Sequence, residues 1–149
     1  MGRAVIVSYA RTGLAKSGRG GFNDTHGATM TGHAIKHAVE RAKIDPAMIE
    51  DVVIGCGAPE GATGSNIARL SLIRAGLPVT SSGTTVNRFC SSGLQAIAQA
   101  SHYIMNEGAK AAVGGGVESI SLVQMSGKAN RYHITEEELM KTKPELWMA

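Results

Sequence analysis

What most constrains the fold is an alternation between short apolar runs and longer stretches of helical periodicity. Ala4–Val7, Val52–Ile54, Thr84–Val86 and Ala111–Val113 are short, β-branched or alanine-rich, and lack a polar residue at every second position. Such runs read as strands buried on both faces. Between them lie segments whose apolar residues recur at i, i+3 and i+4. Strand, helix, strand, helix, strand, helix, strand predicts βαβ units and a mostly parallel sheet, hence an α/β fold.

The helical segments can be placed more closely. Over Ala28–Lys43, the residues Thr31, Ala34, Ile35, Ala38, Val39 and Ala42 share one face. Asp45-Pro46 opens a short helical turn, with Asp as N-cap and Pro in the first position. Ser65 is the expected N-cap of a helix running to Ala75, with Ile67, Leu70 and Ile73 inward and Gly76 as its stop. Ser91 or Ser92 caps the next helix. Leu94, Ile97, Ala98, Ile104 and Met105 line one side of that helix, and Gly108 ends it. Gly114-Gly115-Gly116 reads as a turn after the fourth strand.

Periodicity weakens after Ser119. It returns at Thr135-Glu136-Glu137-Glu138, a capping box flanked by Ile134 and Leu139 as a hydrophobic staple. Pro144 then opens a further helix through Trp147 and Met148. So short a pair of helices leaves apolar residues little chain to pack on. The expectation is a section of a longer protein, or a chain completed by a partner.

Composition narrows the functional classes. The 149 residues carry 43% hydrophobic and 18% charged side chains, ordinary for a soluble globular domain. Net charge is +3, and the basic residues are scattered with only 4% aromatics, which argues against nucleic-acid binding. No apolar stretch approaches the roughly 18 residues that span a bilayer, so no membrane association is expected. The first residues run directly into a strand-like segment without a signal-peptide pattern, and two cysteines do not make a secreted disulfide scaffold. The expected compartment is the cytoplasm.

Cys90 is the candidate that carries chemistry. It closes Thr84-Thr85-Val86-Asn87-Arg88-Phe89-Cys90, a β-branched run, and stands just before a helical pattern. A thiol there lies near a helix N-terminus, where N–H groups and the macrodipole favour a thiolate. Two readings stay open on these residues alone: a small buried hydrophobe, or a nucleophile. Arg88, Ser91, Ser92 and Gly93 around it replace the apolar run that the first reading would suit.

Other candidates read as structural. Cys56, in Gly55-Cys56-Gly57, is a thiol at a strand end. His33 and His37 stand one turn apart with His26 nearby, a spacing that can hold zinc, but a solvated helix face suits them better. The glycine-rich stretches at 16–21, 55–61 and 127–129 fit no phosphate-binding fingerprint. Glu118 reads as part of a turn. Arg69 and Arg88 are candidates for ion pairs across a subunit interface, and Arg88 also for support of the site beside it.

The stretch Val86-Asn87-Arg88-Phe89-Cys90-Ser91-Ser92-Gly93-Leu94-Gln95-Ala96-Ile97 resembles the acyl-enzyme signature of the thiolases. Val113–Ser121 resembles that family's glycine-rich turn, and Val5–Thr12 its first strand and loop. The resemblance implies a layered α/β sandwich whose N-terminal domain has five strands and pairs with a similar C-terminal domain. Residues 1–119 would form the N-terminal domain core, and 120–149 the start of an inserted loop domain. The last strand would come from elsewhere.

The resemblance also implies chemistry. Cys90 would accept an acyl group from an acyl-CoA, and the carbanion of acetyl-CoA would attack the resulting thioester, with thiolysis as the reverse. No cofactor would be permanently bound; the coenzyme A thioester is substrate. A homodimer or homotetramer, and the rest of the thiolase polypeptide or a second chain, are the implied partners. The sequence departs from the family in lacking Gly-His-Pro, Cys-x-Gly and Asn-Glu-Ala motifs, which supply the activating histidine, the acid/base cysteine and the water-holding asparagine. The alternatives are a non-catalytic scaffold on the same fold, or a fragment inactive without a second chain.

Overall fold

A computed structural model describes residues 2–125. The helices expected at Thr135 and Pro144 lie outside them. The elements run α1 (Gly27–Ala42), β1 (Ile49–Gly55), α2 (Ile67–Ala75), β2 (Ser82–Val86), α3 (Ser92–Asn106), β3 (Ala111–Gly116) and α4 (Ile120–Val123). The three strands form a parallel sheet in the order β2-β1-β3. The α/β reading and the parallel sheet therefore hold.

β1 is the centre of the molecule. Its alternate residues face opposite sides. Val52, Ile54 and Cys56 pack with Ile35 and Val39 of α1 and with Ile67, Ala68 and Leu72 of α2. Val53 packs with Ala96 and Ala100 of α3. Helices on both faces explain why β1 has no polar alternation.

Local signals set several boundaries as expected. The Asp45 carboxylate accepts the Ala47 N–H at 2.9 Å and opens the 3₁₀ turn Pro46–Met48. Gly76 ends α2 in the left-handed region, at φ 83°. On α1, Thr31, Ile35 and Val39 are buried.

Five expectations are corrected. Ala4–Val7 is not a strand: among the described residues nothing pairs with it, and Val5, Ile6 and Val7 are each about 70–80% exposed. A strand exists only where a neighbour supplies its hydrogen bonds, and a cavity of about 850 Å³ lined by both this segment and β3 lies there instead. Gly114–Gly116 is strand, not turn. A Cβ on Gly114 would lie 2.7 Å from Ile97 Cα, so glycine is what lets α3 lie on β3.

That close approach also reverses the expected face of α3. Ala96 and Ala100 meet the sheet, while Leu94 is 73% exposed and Ile97 and Ile104 line the cavity. The caps shift as well. Asn66, not Ser65, caps α2 by accepting the Arg69 N–H, and Leu70 and Ile73 are exposed while Ala68 and Leu72 turn inward.

Candidate active site

The C-terminal ends of all three strands converge on one edge of the sheet, which is where open α/β sheets bind ligands. β1 runs into Cys56-Gly57-Ala58, β2 into Asn87-Arg88-Phe89-Cys90, and β3 into Val117-Glu118. Cys90 sits in a 3₁₀ turn, Phe89–Ser91, that feeds directly into α3. It is exposed and free. The expected strand-to-helix placement of Cys90 is thus present.

The turn before it has an uncommon backbone. Phe89 has φ 48°, in the left-handed region that a bulky side chain seldom adopts. Its ring is 67% exposed, so burial does not offset that conformation. Hydrogen bonds surround it instead. Asn87 Oδ1 accepts the Phe89 N–H at 2.8 Å. Ser92 Oγ donates to the Phe89 carbonyl at 2.6 Å and accepts the Arg88 N–H at 2.8 Å. Ser92 therefore serves the turn, and neither it nor Ser91 caps α3 through its side chain.

Glycine makes room for this junction. A Cβ on Gly55 would overlap the backbone of Ser92 and lie 2.5 Å from Gly93 N. The end of β1 is thus pressed against the start of α3.

Cys56 and Glu118 lie next to the junction. Cys56 is buried, with Sγ 3.8 Å from Glu118 Oε1. Burial pushes its thiol above the ordinary value; the Thr63 hydroxyl bond opposes this, and the nearby Glu118 charge adds to it. A raised value keeps this thiol protonated at neutral pH. Glu118 reaches across from the end of β3. Its Oε2 accepts the Gly57 N–H at 2.7 Å and its Oε1 the Ala58 N–H at 3.2 Å.

The remaining candidates are dispersed. His26 caps α1 by accepting the Ala28 N–H at 3.1 Å. His33 and His37 stack edge to face with centroids 4.4 Å apart, and His37 contacts Glu40 at 3.2 Å. Among the described residues no three His, Cys, Asp or Glu side chains gather as a metal site. Arg69 donates to the Val79 and Ser81 carbonyls, and Arg88 to Gln95 Oε1 at 2.9 Å. Both are engaged within the chain. No helix among the described residues is long and apolar enough to cross a membrane.

Asn87 and Glu118 lie within the stretches that carry the family resemblance, but the resemblance does not give their contacts. Asn87 was legible in principle, because an asparagine two residues before a turn position commonly bonds that residue's N–H. The Glu118 bonds to Gly57 and Ala58 span 61 and 60 positions, and no local pattern announces them. The 850 Å³ cavity is not centred on Cys90: Glu118 lines it but Cys90 does not, and its wall is drawn from the N-terminal segment, α1, α3 and β3.

The family described as "Thiolase, N-terminal domain" matches residues 4–148. The 3-ketoacyl-CoA thiolase of Bacillus subtilis (strain 168) is 40% identical over 149 residues, covering 100% of this chain and 37% of that protein. The 3-ketoacyl-CoA thiolase of Aliivibrio salmonicida (strain LFI1238) is 39% identical over 127 residues, 85% of this chain and 33% of that protein. The 3-ketoacyl-CoA thiolase of Shewanella denitrificans is 37% identical over 139 residues, 88% of this chain and 36% of that protein. The chain thus spans about a third of the length of these relatives. With a family match over nearly all its residues and an α/β sheet that gathers its strand ends around Cys90, the chain belongs to the thiolase family, in the family's N-terminal domain.

Proposed function

We propose that this chain carries the acyl-accepting half of a thiolase active site, with Cys90 as the nucleophile. One observation carries the reading: an exposed cysteine stands at the junction of β2 and α3, on the edge where all three parallel strands end. The names of the relatives support coenzyme A thioesters as substrates.

The chemistry follows from the thiolate as nucleophile. Cys90 Sγ attacks the thioester carbonyl carbon; a new C–S bond forms, the bond to the coenzyme A sulfur breaks, and the departing thiolate takes up a proton. The Cys90 backbone N–H, in the 3₁₀ turn that leads into α3, is one donor for the oxyanion. The carbanion of acetyl-CoA, its α-proton removed, then attacks the Cys90 thioester, releasing Sγ and a 3-ketoacyl-CoA. Acetyl-CoA is the proposed acyl donor, and thiolysis is the same path reversed.

The histidine, acid/base cysteine and asparagine motifs are absent from these 149 residues, so residues outside them complete the site. The short coverage of each relative favours this over a scaffold that uses no chemistry. Oligomerisation as a dimer or tetramer, a cytoplasmic place of action and a role in fatty-acid metabolism belong to the same proposal. The test is intact-mass analysis of the full-length protein after incubation with acetyl-CoA. The expected result is a single acetyl adduct that maps to Cys90 and is lost in Cys90→Ala. Retention of the adduct in that variant overturns the assignment.

A further inference from the structure

We propose that Asn87 and Glu118 are positioning residues that clamp the turn carrying Cys90; the proposal rests on Cys90 being the nucleophile. The clamp is built on one residue, Gly57. Glu118, from the end of β3, accepts the Gly57 N–H at 2.7 Å. Asn87, from the end of β2, donates through Nδ2 to the Gly57 carbonyl at 3.1 Å. The same Asn87 accepts the Phe89 N–H through Oδ1 at 2.8 Å. A continuous path of hydrogen bonds therefore runs from β3, through the loop after β1, to the residue before Cys90.

Three features give this path its purpose. Phe89 holds φ 48°, a conformation that persists only where its surroundings over-determine it. The exposed ring does not supply that constraint. Gly57 fits the clamp because a Cβ there would lie 2.9 Å from Glu118 Oε2. The left-handed bend sets the direction in which the chain leaves β2, and so where Cys90 enters the 3₁₀ turn before α3. Neither side chain touches the reacting sulfur; both act through Phe89.

The consequence is kinetic. A nucleophile displaced by about 1 Å can lose on the order of 100-fold in rate while the substrate still binds. In the full-length protein, Asn87→Ala and Glu118→Gln are expected to slow single-turnover acetylation of Cys90 by acetyl-CoA by about 10- to 100-fold, with KM changed by less than about threefold. Asn87→Asp keeps the acceptor for the Phe89 N–H but sets a carboxylate oxygen in place of the donor against the Gly57 carbonyl, so its rate is expected to fall below that of the wild type. Adding Phe89→Gly to Asn87→Ala is expected to restore part of the rate, because glycine adopts positive φ without strain.

Wild-type acetylation rates in both Asn87→Ala and Glu118→Gln overturn the clamp. So does a loss carried wholly by KM, or a double variant no faster than Asn87→Ala. If Asn87→Ala does not fold, Glu118→Gln and Asn87→Asp decide by the same rates. A wild type that never acetylates Cys90 instead overturns the nucleophile reading. The clamp is then judged by iodoacetamide alkylation of Cys90, whose rate is expected to change in the variants and whose constancy sinks the proposal.

Discussion

At the scale of single residues, the two cysteines differ in environment. Cys90 is exposed, whereas Cys56 is 1% exposed and hydrogen-bonded beneath the strand ends. Iodoacetamide at neutral pH is therefore expected to label Cys90 in the folded protein and to reach Cys56 only after denaturation. Peptide mapping by mass spectrometry checks this, and equal labelling of the two would contradict it. The raised Cys56 value also makes a signed statement about stability. The unfolded chain releases this proton near the ordinary value of 9.0, while the folded state still holds it. Unfolding is then favoured as the pH rises, so the group's contribution is complete below about pH 9 and is lost as the pH climbs through the raised folded value. Urea titrations across this range should show a decline that is shallower in Cys56→Ala. A decline of equal steepness in the variant would assign it to other groups.

At the scale of elements, glycine in a strand is the decisive device. Gly114 lies in β3 with the backbone of α3 against it. Gly114→Ala puts a methyl group 2.7 Å from Ile97 Cα, where backbone rather than a flexible side chain must give way. The expected cost is about 1–3 kcal/mol, read as a lower urea midpoint of the full-length protein with the slope unchanged. Gly93→Ala, whose added Cβ meets open space, is the control and is expected to leave the midpoint nearly in place. The same close approach explains which parts of the elements were legible. Strands β1 and β2, helix α1, the Asp45 turn and the Gly76 stop follow from residues adjacent in sequence. The inward face of α3 did not, because Leu94 and Ile97 are exposed while the small residues Ala96 and Ala100 are buried against Val53. The glycine run of β3 misled for a related reason: its lack of side chains reads locally as a turn and serves here as a packing surface.

At the scale of the whole molecule, the described residues leave apolar surface uncovered. Val5, Ile6 and Val7 are exposed, no strand among the described residues pairs with β3 on its outer edge, and a cavity of about 850 Å³ is lined by both. Unpaired strand edges and contiguous apolar surface promote association. The 149-residue chain expressed by itself is expected to self-associate, eluting in size-exclusion chromatography as large or concentration-dependent species. A monodisperse monomer would count against this.

What the sequence by itself determined is whatever contiguous residues can encode: the βαβ alternation, most helix boundaries, and a cysteine at a strand-to-helix junction. Periodicity, capping chemistry and turn residues act over a few positions, so they can be read in order along the chain. Only the tertiary structure decided that Ala4–Val7 has no strand partner among the described residues, that α3 packs on the sheet with Ala96 and Ala100, and that Glu118 and Asn87 both bond Gly57 from 61 and 30 positions away. Those outcomes depend on which groups become neighbours in space. A hydrogen bond or a close backbone approach between distant segments leaves no periodic trace in the residues that make it.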